Sequence, residues 1–143
     1  MSSSNIAPAK KMTFSVAITT ENYKNLINNT LKEPGRANRF IAAITSAVAA
    51  TPALQTCDPK SILSGGLLGE GLNLSPSPQL GQYYLVPFKQ KAKYDREGHL
   101  LSPECFKAQF VLGYKGYIQL ALRSGQYRKL GCMEIRQGEY LGK

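Results

Sequence analysis

EGLNLSPSPQLGQYYLVPFKQKAK, residues 70–93, is the stretch in which the periodicity of the chain changes. Apolar residues ahead of it recur at helical spacing. Within it, Pro76 and Pro78 stiffen the chain, three aromatics follow closely with Pro87 among them, and lysines then stand at every second position. Gln82–Phe88 and, further on, Phe106–Tyr114 are aromatic and β-branched runs separated by the polar segment Gln90–Pro103, a pattern that predicts two antiparallel strands joined by a long hairpin loop. Strands that follow one another without regular helical crossovers define an α+β fold and exclude a doubly wound sheet.

Working back toward the N-terminus, Asp58-Pro59 pairs a capping residue with a first-turn proline. It opens a helix carrying Ile62, Leu63, Leu67 and Leu68. Pro34 starts an earlier helix where its missing N–H costs nothing, with Phe40, Ile41, Ile44, Ala47 and Val48 as the buried stripe and Pro52 as the stop. Tyr23, Leu26, Ile27 and Leu31 predict a first helix, capped by Thr19 or Thr20 and ending near Lys32. Residues 1–15 read as a flexible arm, and 16–143 as a single folded domain. Toward the C-terminus, Lys115–Ser124 places Ile118, Ala121 and Leu122 on a core-facing helical stripe ended by Gly125, and Tyr127–Ile135 predicts a third strand. The expected architecture is N-terminal helices followed by a small antiparallel sheet with a packed helix. If the third strand closes the domain, one edge stays open, which suggests continuation in a longer parent.

A chain of 143 residues is long enough for one folded unit with a real core. No apolar run is long enough to span a membrane, and Met1–Pro8 lacks the basic start and apolar segment of a signal peptide, so no membrane partner and a cytoplasmic setting are expected. Cys57, Cys105 and Cys132 form an odd set without CxxC spacing. His99 is the single histidine and sits in a polar hairpin tip, a poor place to fix a base, so neither a disulfide framework, a metal site nor a catalytic cysteine is supported. No carboxylate pair has a spacing suited to acid–base work, and no cofactor motif is present. The phosphate-loop pattern and its lysine are missing. No enzyme is read from these residues.

The formal charge of +9 speaks to partners and not to fold. Residues 89–143 hold eleven Lys/Arg against five Asp/Glu. Lys89, Lys91 and Lys93 alternate, so in one extended strand all three would point the same way, either as a solubilising edge or beside a polyanion. Lys107, Lys115, Arg123, Arg128, Lys129 and Arg136 follow, interleaved with Tyr114, Tyr117 and Tyr127, the pattern of a single-stranded nucleic-acid groove. Arg36 and Arg39 lie near the start of the second helix, where cations oppose the helix dipole. They either await an anion, or are solvated charges or pair with Glu33. Gly65, Gly66, Gly69 and Gly71 weaken the third helix, so either another helix packs on that bare backbone or a ligand or neighbouring subunit approaches it.

Two blocks, CDPKSILSGGLLGEGLNLSPSPQLGQYYLVPF and QFVLGYKGYIQLALRSGQYRKLGCMEIRQGE, together resemble the RecT family of phage single-strand annealing recombinases. The shared signatures are the G-L-N turn before the sheet, the Y-L-x-P-F strand and the G-Y-x-G helix ending R-S-G-Q, a resemblance running from Phe40 to about Gly138. It implies that 16–143 is a DNA-binding and oligomerisation domain, with ATP-independent binding of single-stranded DNA and annealing of complementary strands by a homo-oligomer or helical filament. The implied partners are single-stranded and newly annealed duplex DNA and a phage 5′–3′ exonuclease. Tyr114, Lys115 and Arg123 fall inside the matched helix block, whereas Lys91 and Lys93 fall in a loop that looks inserted. Family members are considerably longer, so the chain reads as truncated relative to them. The competing readings are an oligomerisation or assembly module that does not anneal, and a general RNA-binding domain.

Overall fold

The computed structural model describes residues 12–131 and 133–138. Helices α1 (Phe14–Ala17), α2 (Glu21–Leu31), α3 (Pro34–Ala50) and α4 (Pro59–Gly71) come first, with a 3-10 turn, Pro52–Thr56, between α3 and α4. Strands β1 (Tyr83–Gln90), β2 (Lys93–Tyr94), β3 (Leu100–Ser102) and β4 (Cys105–Leu112) follow, and then α5 (Tyr114–Arg123). The α+β class is as the sequence predicts, with helices ahead of a small antiparallel sheet and a helix after it.

Local signals explain the boundaries. Pro34 occupies the first turn of α3, and the buried residues Ala37, Phe40, Ile44, Ala47 and Val48 recur at three and four positions, as one helical face requires. Asp58 caps α4 by accepting the Lys60 N–H at 3.4 Å, with Pro59 next to it. Thr20 stands at the cap of α2 but does not use its side chain there, because its hydroxyl donates to the Ala17 carbonyl at 2.7 Å. The expected arm through Ser15 is corrected in its described part: Phe14 opens α1 and is fully buried in the core, a burial that outweighs the polarity around it. Residues 1–11 lie outside the described residues.

α3 and α4 pack Phe40, Ile44, Val48, Ile62 and Leu63 together with Phe14, Ile18 and Ile27 from the N-terminal helices. β1 pairs antiparallel with β4 from Tyr83 opposite Leu112 to Gln90 opposite Cys105, and β2 pairs separately with β3. Side chains alternate across the strands, so Tyr83 and Leu85 turn toward α4 while Tyr84, Val86 and Phe88 are left exposed. Pro87 is tolerated because, among the described residues, β1 has no second strand beside it. The far edge of β4 is tied to the start of α4: the Asp58 N–H donates to the Phe106 carbonyl at 2.8 Å, and the Ala108 N–H donates to the Ser61 hydroxyl at 2.8 Å.

The glycines of α4 answer the question the sequence poses. A β-carbon on Gly65 would stand 2.6 Å from Leu85 Cδ2, one on Gly66 would run into Ile44 and Phe40, and one on Gly69 would run into the Tyr83 ring. A helix, α3, approaches at Gly66, as the first reading expects, and the sheet, which neither reading named, approaches at Gly65 and Gly69. Gly71 has nothing near it. Tyr83 stacks at a tilt on Phe110 with ring centroids 4.9 Å apart. Its hydroxyl is buried without a hydrogen-bond partner among the described residues, and burial first, then Glu70, push its pKa far above the ordinary value. The ring therefore contributes shape without charge. Tyr83→Phe removes an unsatisfied oxygen at constant shape and is expected to hold or raise the thermal midpoint; a clear fall would reveal a partner for that hydroxyl.

Three expectations are corrected. Leu68 is exposed and lies off the buried stripe of α4. In α5 the buried residue is Gly116, with Ile118 and Ala121 half-buried and Leu122 exposed, because α5 meets the body of the molecule along one line against Gln82 and Leu112. Tyr127–Ile135 forms no strand among its described residues: with Tyr127, Met133 and Ile135 exposed, no ladder partner holds the segment. Cys132 lies outside the described residues, while Cys57 is buried and Cys105 half-buried, both as thiols.

Candidate nucleic-acid interface

Arg36 and Arg39 on the first two turns of α3, and Arg123 at the end of α5, line one cleft of about 410 Å³. Glu70, Asn73, Ser75 and Gln82 complete its polar wall. The two guanidinium groups of α3 and the one of α5 come from distant parts of the chain. α4 brings them together by packing its C-terminal end against the start of α3 and the end of α5.

Arg36 is anchored by Glu70 and not by Glu33. Its Nε donates to Glu70 Oε1 at 2.6 Å and its Nη2 to the Glu70 carbonyl at 3.1 Å. The hydrogen bond and charge of Glu70 hold the guanidinium pKa above its already high value. Arg123 donates from Nη1 to the Leu72 carbonyl at 2.9 Å and from Nη2 to the Asn73 carbonyl at 3.0 Å, covering the turn that ends α4. A cation suits a helix C-terminus. Each guanidinium carries five N–H donors, so both arginines are positioned by the protein and retain donors for a ligand. Arg39 is exposed and makes no ion pair among the described residues. Asn73 turns the chain in the left-handed region at φ 53°, which asparagine tolerates, and this sends Leu74 back into the core.

Lys115 lines a neighbouring depression of about 320 Å³ with Gln79, Leu80 and Ile118, and Gln82 belongs to both hollows. The Lys115 ammonium lies 5.9 Å from the centre of the exposed Tyr114 ring. Arg36, Arg39, Arg123 and Lys115 thus form one cationic track, interrupted by Glu70.

The remaining candidates lie elsewhere. Lys89 is in β1 and pairs with Glu104 at 2.8 Å. The expected row of Lys89, Lys91 and Lys93 along one strand does not form: the β1–β4 ladder ends at Gln90, Lys91 follows outside any strand, and Lys93 belongs to β2 with a separate, bulged register. Lys107 lies on β4 opposite Phe88. Arg128, Lys129 and Arg136 are exposed beyond α5. At the β2–β3 tip, Asp95, Glu97 and His99 come close enough together for a cation, but the Asp95 carboxylate already accepts the Glu97 and His99 N–H groups at 2.9 and 2.8 Å. The His99 N–H is the main reason its pKa lies below the ordinary carboxylate value. The cluster is the hydrogen bonding of a tight turn.

Glu70, Asn73 and Gln82 were not singled out in the sequence as parts of a site. Asn73 had a local signal, the G-L-N turn, whereas Glu70 meets Arg36 across 34 residues, and nothing local marks that contact. The cleft, the packed α4 and the strand pair together place the chain among basic α+β modules with an arginine-lined cleft. The sequence model of the RecT family matches residues 38–143, and the chain belongs to that family. It is 39% identical over 104 residues to the uncharacterised protein YqaK of Bacillus subtilis, covering 73% of this chain and 31% of the relative. It is 34% identical over 103 residues to Protein RecT of Escherichia coli, covering 72% of this chain and 35% of the relative. The matched part therefore spans about a third of each of these curated relatives. The resemblance read from the two sequence blocks is borne out, and the match takes in α4, the sheet, α5 and Arg39 while starting just after Arg36. No helix of the described residues is long and apolar enough to cross a membrane.

Proposed function

We propose that this chain binds single-stranded DNA without sequence preference and promotes annealing of complementary strands in phage-type recombination. It does so without nucleotide hydrolysis, as a homo-oligomer in the bacterial cytoplasm. The observation that carries this reading is the convergence of Arg36, Arg39 and Arg123 on one cleft, continued by Lys115, in a chain of the RecT family. Cations aimed at phosphates fix a strand's path and leave its base edges unread, which is what pairing with a second strand requires. The chemistry asked of the protein is alignment, so it needs no catalytic residue. Exposed apolar side chains such as Leu26, Leu68 and Tyr117 favour self-association. A 5′–3′ exonuclease is the natural supplier of the single strand.

Two complementary labelled oligonucleotides mixed with the protein and no nucleoside triphosphate are expected to form duplex faster than they do alone; an unchanged rate would overturn the annealing reading. Affinity for single strands is expected to fall with salt, with a log–log slope of about −0.7 per phosphate neutralised. A binding constant unchanged between low and moderate salt would remove the phosphate cleft from the account. Light scattering is expected to show multimers once complementary strands are added in turn, and a persistent monomer would refute assembly.

A further inference from the structure

The cationic cleft leaves unexplained the other side of the sheet. Tyr84, Val86 and Phe88 project from β1 on the face away from α4, and they are 40%, 44% and 40% exposed. Their partners across the ladder are Val111, Gln109 and Lys107. No acidic residue lies among these six. A cation stands at each end: Lys107 directly opposite Phe88, and Lys115 close to Tyr84, since a β-carbon on Gly81 would meet both the Tyr84 hydroxyl at 2.9 Å and Lys115 Cδ at 3.4 Å. Tyr84 and Phe88 are four residues apart on one strand, about 13 Å. That is too far to clamp one ring from both sides, since stacked rings have centroids within about 4.5–7 Å. Each aromatic is therefore free to take a base of its own.

We propose that this face of the β1–β4 sheet is a base-stacking platform for single-stranded nucleic acid, with Tyr84 and Phe88 as the stacking rings and Lys107 and Lys115 holding the flanking phosphates. The proposal rests on the single-strand reading above and assigns base contacts to a surface separate from the arginine cleft. Lys115 joins the two surfaces, because it lies beside Tyr84 and also shares Gln82 with the cleft. The occupant is a polyanion with flat faces because the platform pairs aromatic rings with cations and offers no carboxylate. Stacking of this kind is sequence-tolerant, because every base has a π-face.

The test compares oligothymidylate with an oligonucleotide of the same length whose backbone carries abasic sites throughout, measured by fluorescence anisotropy on the full chain. Tyr84→Leu and Phe88→Leu keep the apolar character of the face and remove the rings. Each is expected to weaken oligothymidylate binding roughly fivefold or more, as loss of a stacked base does, and to leave binding of the abasic strand unchanged. If both variants bind oligothymidylate like the wild type, the platform is refuted while the cleft stands. If both weaken the two ligands equally, or change oligomer size in light scattering, the rings belong to assembly and the proposal fails. A wild-type protein that binds neither ligand refutes the single-strand reading itself. Both side chains point away from the core, so thermal midpoints near the wild-type value are expected and confirm that folded protein was compared.

Discussion

Gly69→Ala is expected to lower the thermal midpoint by roughly 10 °C, while Gly71→Ala, two residues on in the same helix, raises it by a few degrees. The first places a methyl group against the Tyr83 ring, which is fully buried and stacked on Phe110 and so has nowhere to move. Overpacking of this kind costs about 1–3 kcal/mol and sometimes more. The gain in helix propensity, at most about 1 kcal/mol, offsets only part of it. Three atoms of Tyr83 would lie inside contact distance, which puts the cost at or above the top of that range and the net loss at about 2–3 kcal/mol; at roughly 3–5 °C per kcal/mol for this chain length, that gives the stated fall. Gly71 has no atom within contact distance of an added β-carbon and does not need a positive φ, so alanine there removes unfolded-state freedom and stabilises by about 0.4–1 kcal/mol. Thermal denaturation followed by circular dichroism decides both. Equal midpoints for the two variants would mean that α4 does not seat on Tyr83 as described.

Charge reversal at Arg39 is expected to weaken single-strand binding about thirtyfold or more at low salt without moving the thermal midpoint. Arg39 lies in the cleft, is exposed and makes no ion pair among the described residues, so its substitution removes no contact that holds the fold. Two unit charges about 4 Å apart near a protein surface interact by roughly 1–4 kcal/mol, and exchanging attraction for repulsion at the lower end already gives about 2 kcal/mol. Lys115→Glu is expected to behave in the same way. Arg123→Glu differs, because the guanidinium also holds the carbonyls of Leu72 and Asn73, so both affinity and midpoint fall. The losses should be the same for different base sequences, since phosphate contacts carry no sequence information. The salt slope should become shallower by about 0.7 for each phosphate contact removed. Anisotropy titrations at several salt concentrations, paired with midpoints, check all three variants. Unchanged affinity for Arg39→Glu and Lys115→Glu would return this track to ordinary solvated surface.

The local signals in the chain were sufficient for the α+β order, four helices and the central strand pair. Pro34, the Asp58-Pro59 cap, Pro52 and Gly125 act within one or two turns of themselves, and the aromatic and β-branched run Tyr83–Phe88 is enough to declare a strand. The family was legible too, because its signatures are runs of adjacent residues such as Tyr114-Lys115-Gly116-Tyr117. The order of charges along a chain does not say which charges meet. Lys89, Lys91 and Lys93 looked like one row and are divided by the end of a ladder, while Arg36 and Arg123, 87 positions apart by their numbers, share a cleft. Tertiary packing of α4 between α3 and the sheet decided that meeting, and with it the pairing of Arg36 to Glu70. It also decided what α4 needs glycines for, since the room at Gly66 is set by Ile44 and Phe40 and the room at Gly69 by Tyr83. Phe14 entered the core and the described residues of Tyr127–Ile135 formed no strand for the same reason: burial and ladder pairing each require a partner, and a partner distant in sequence leaves no mark on the residues themselves.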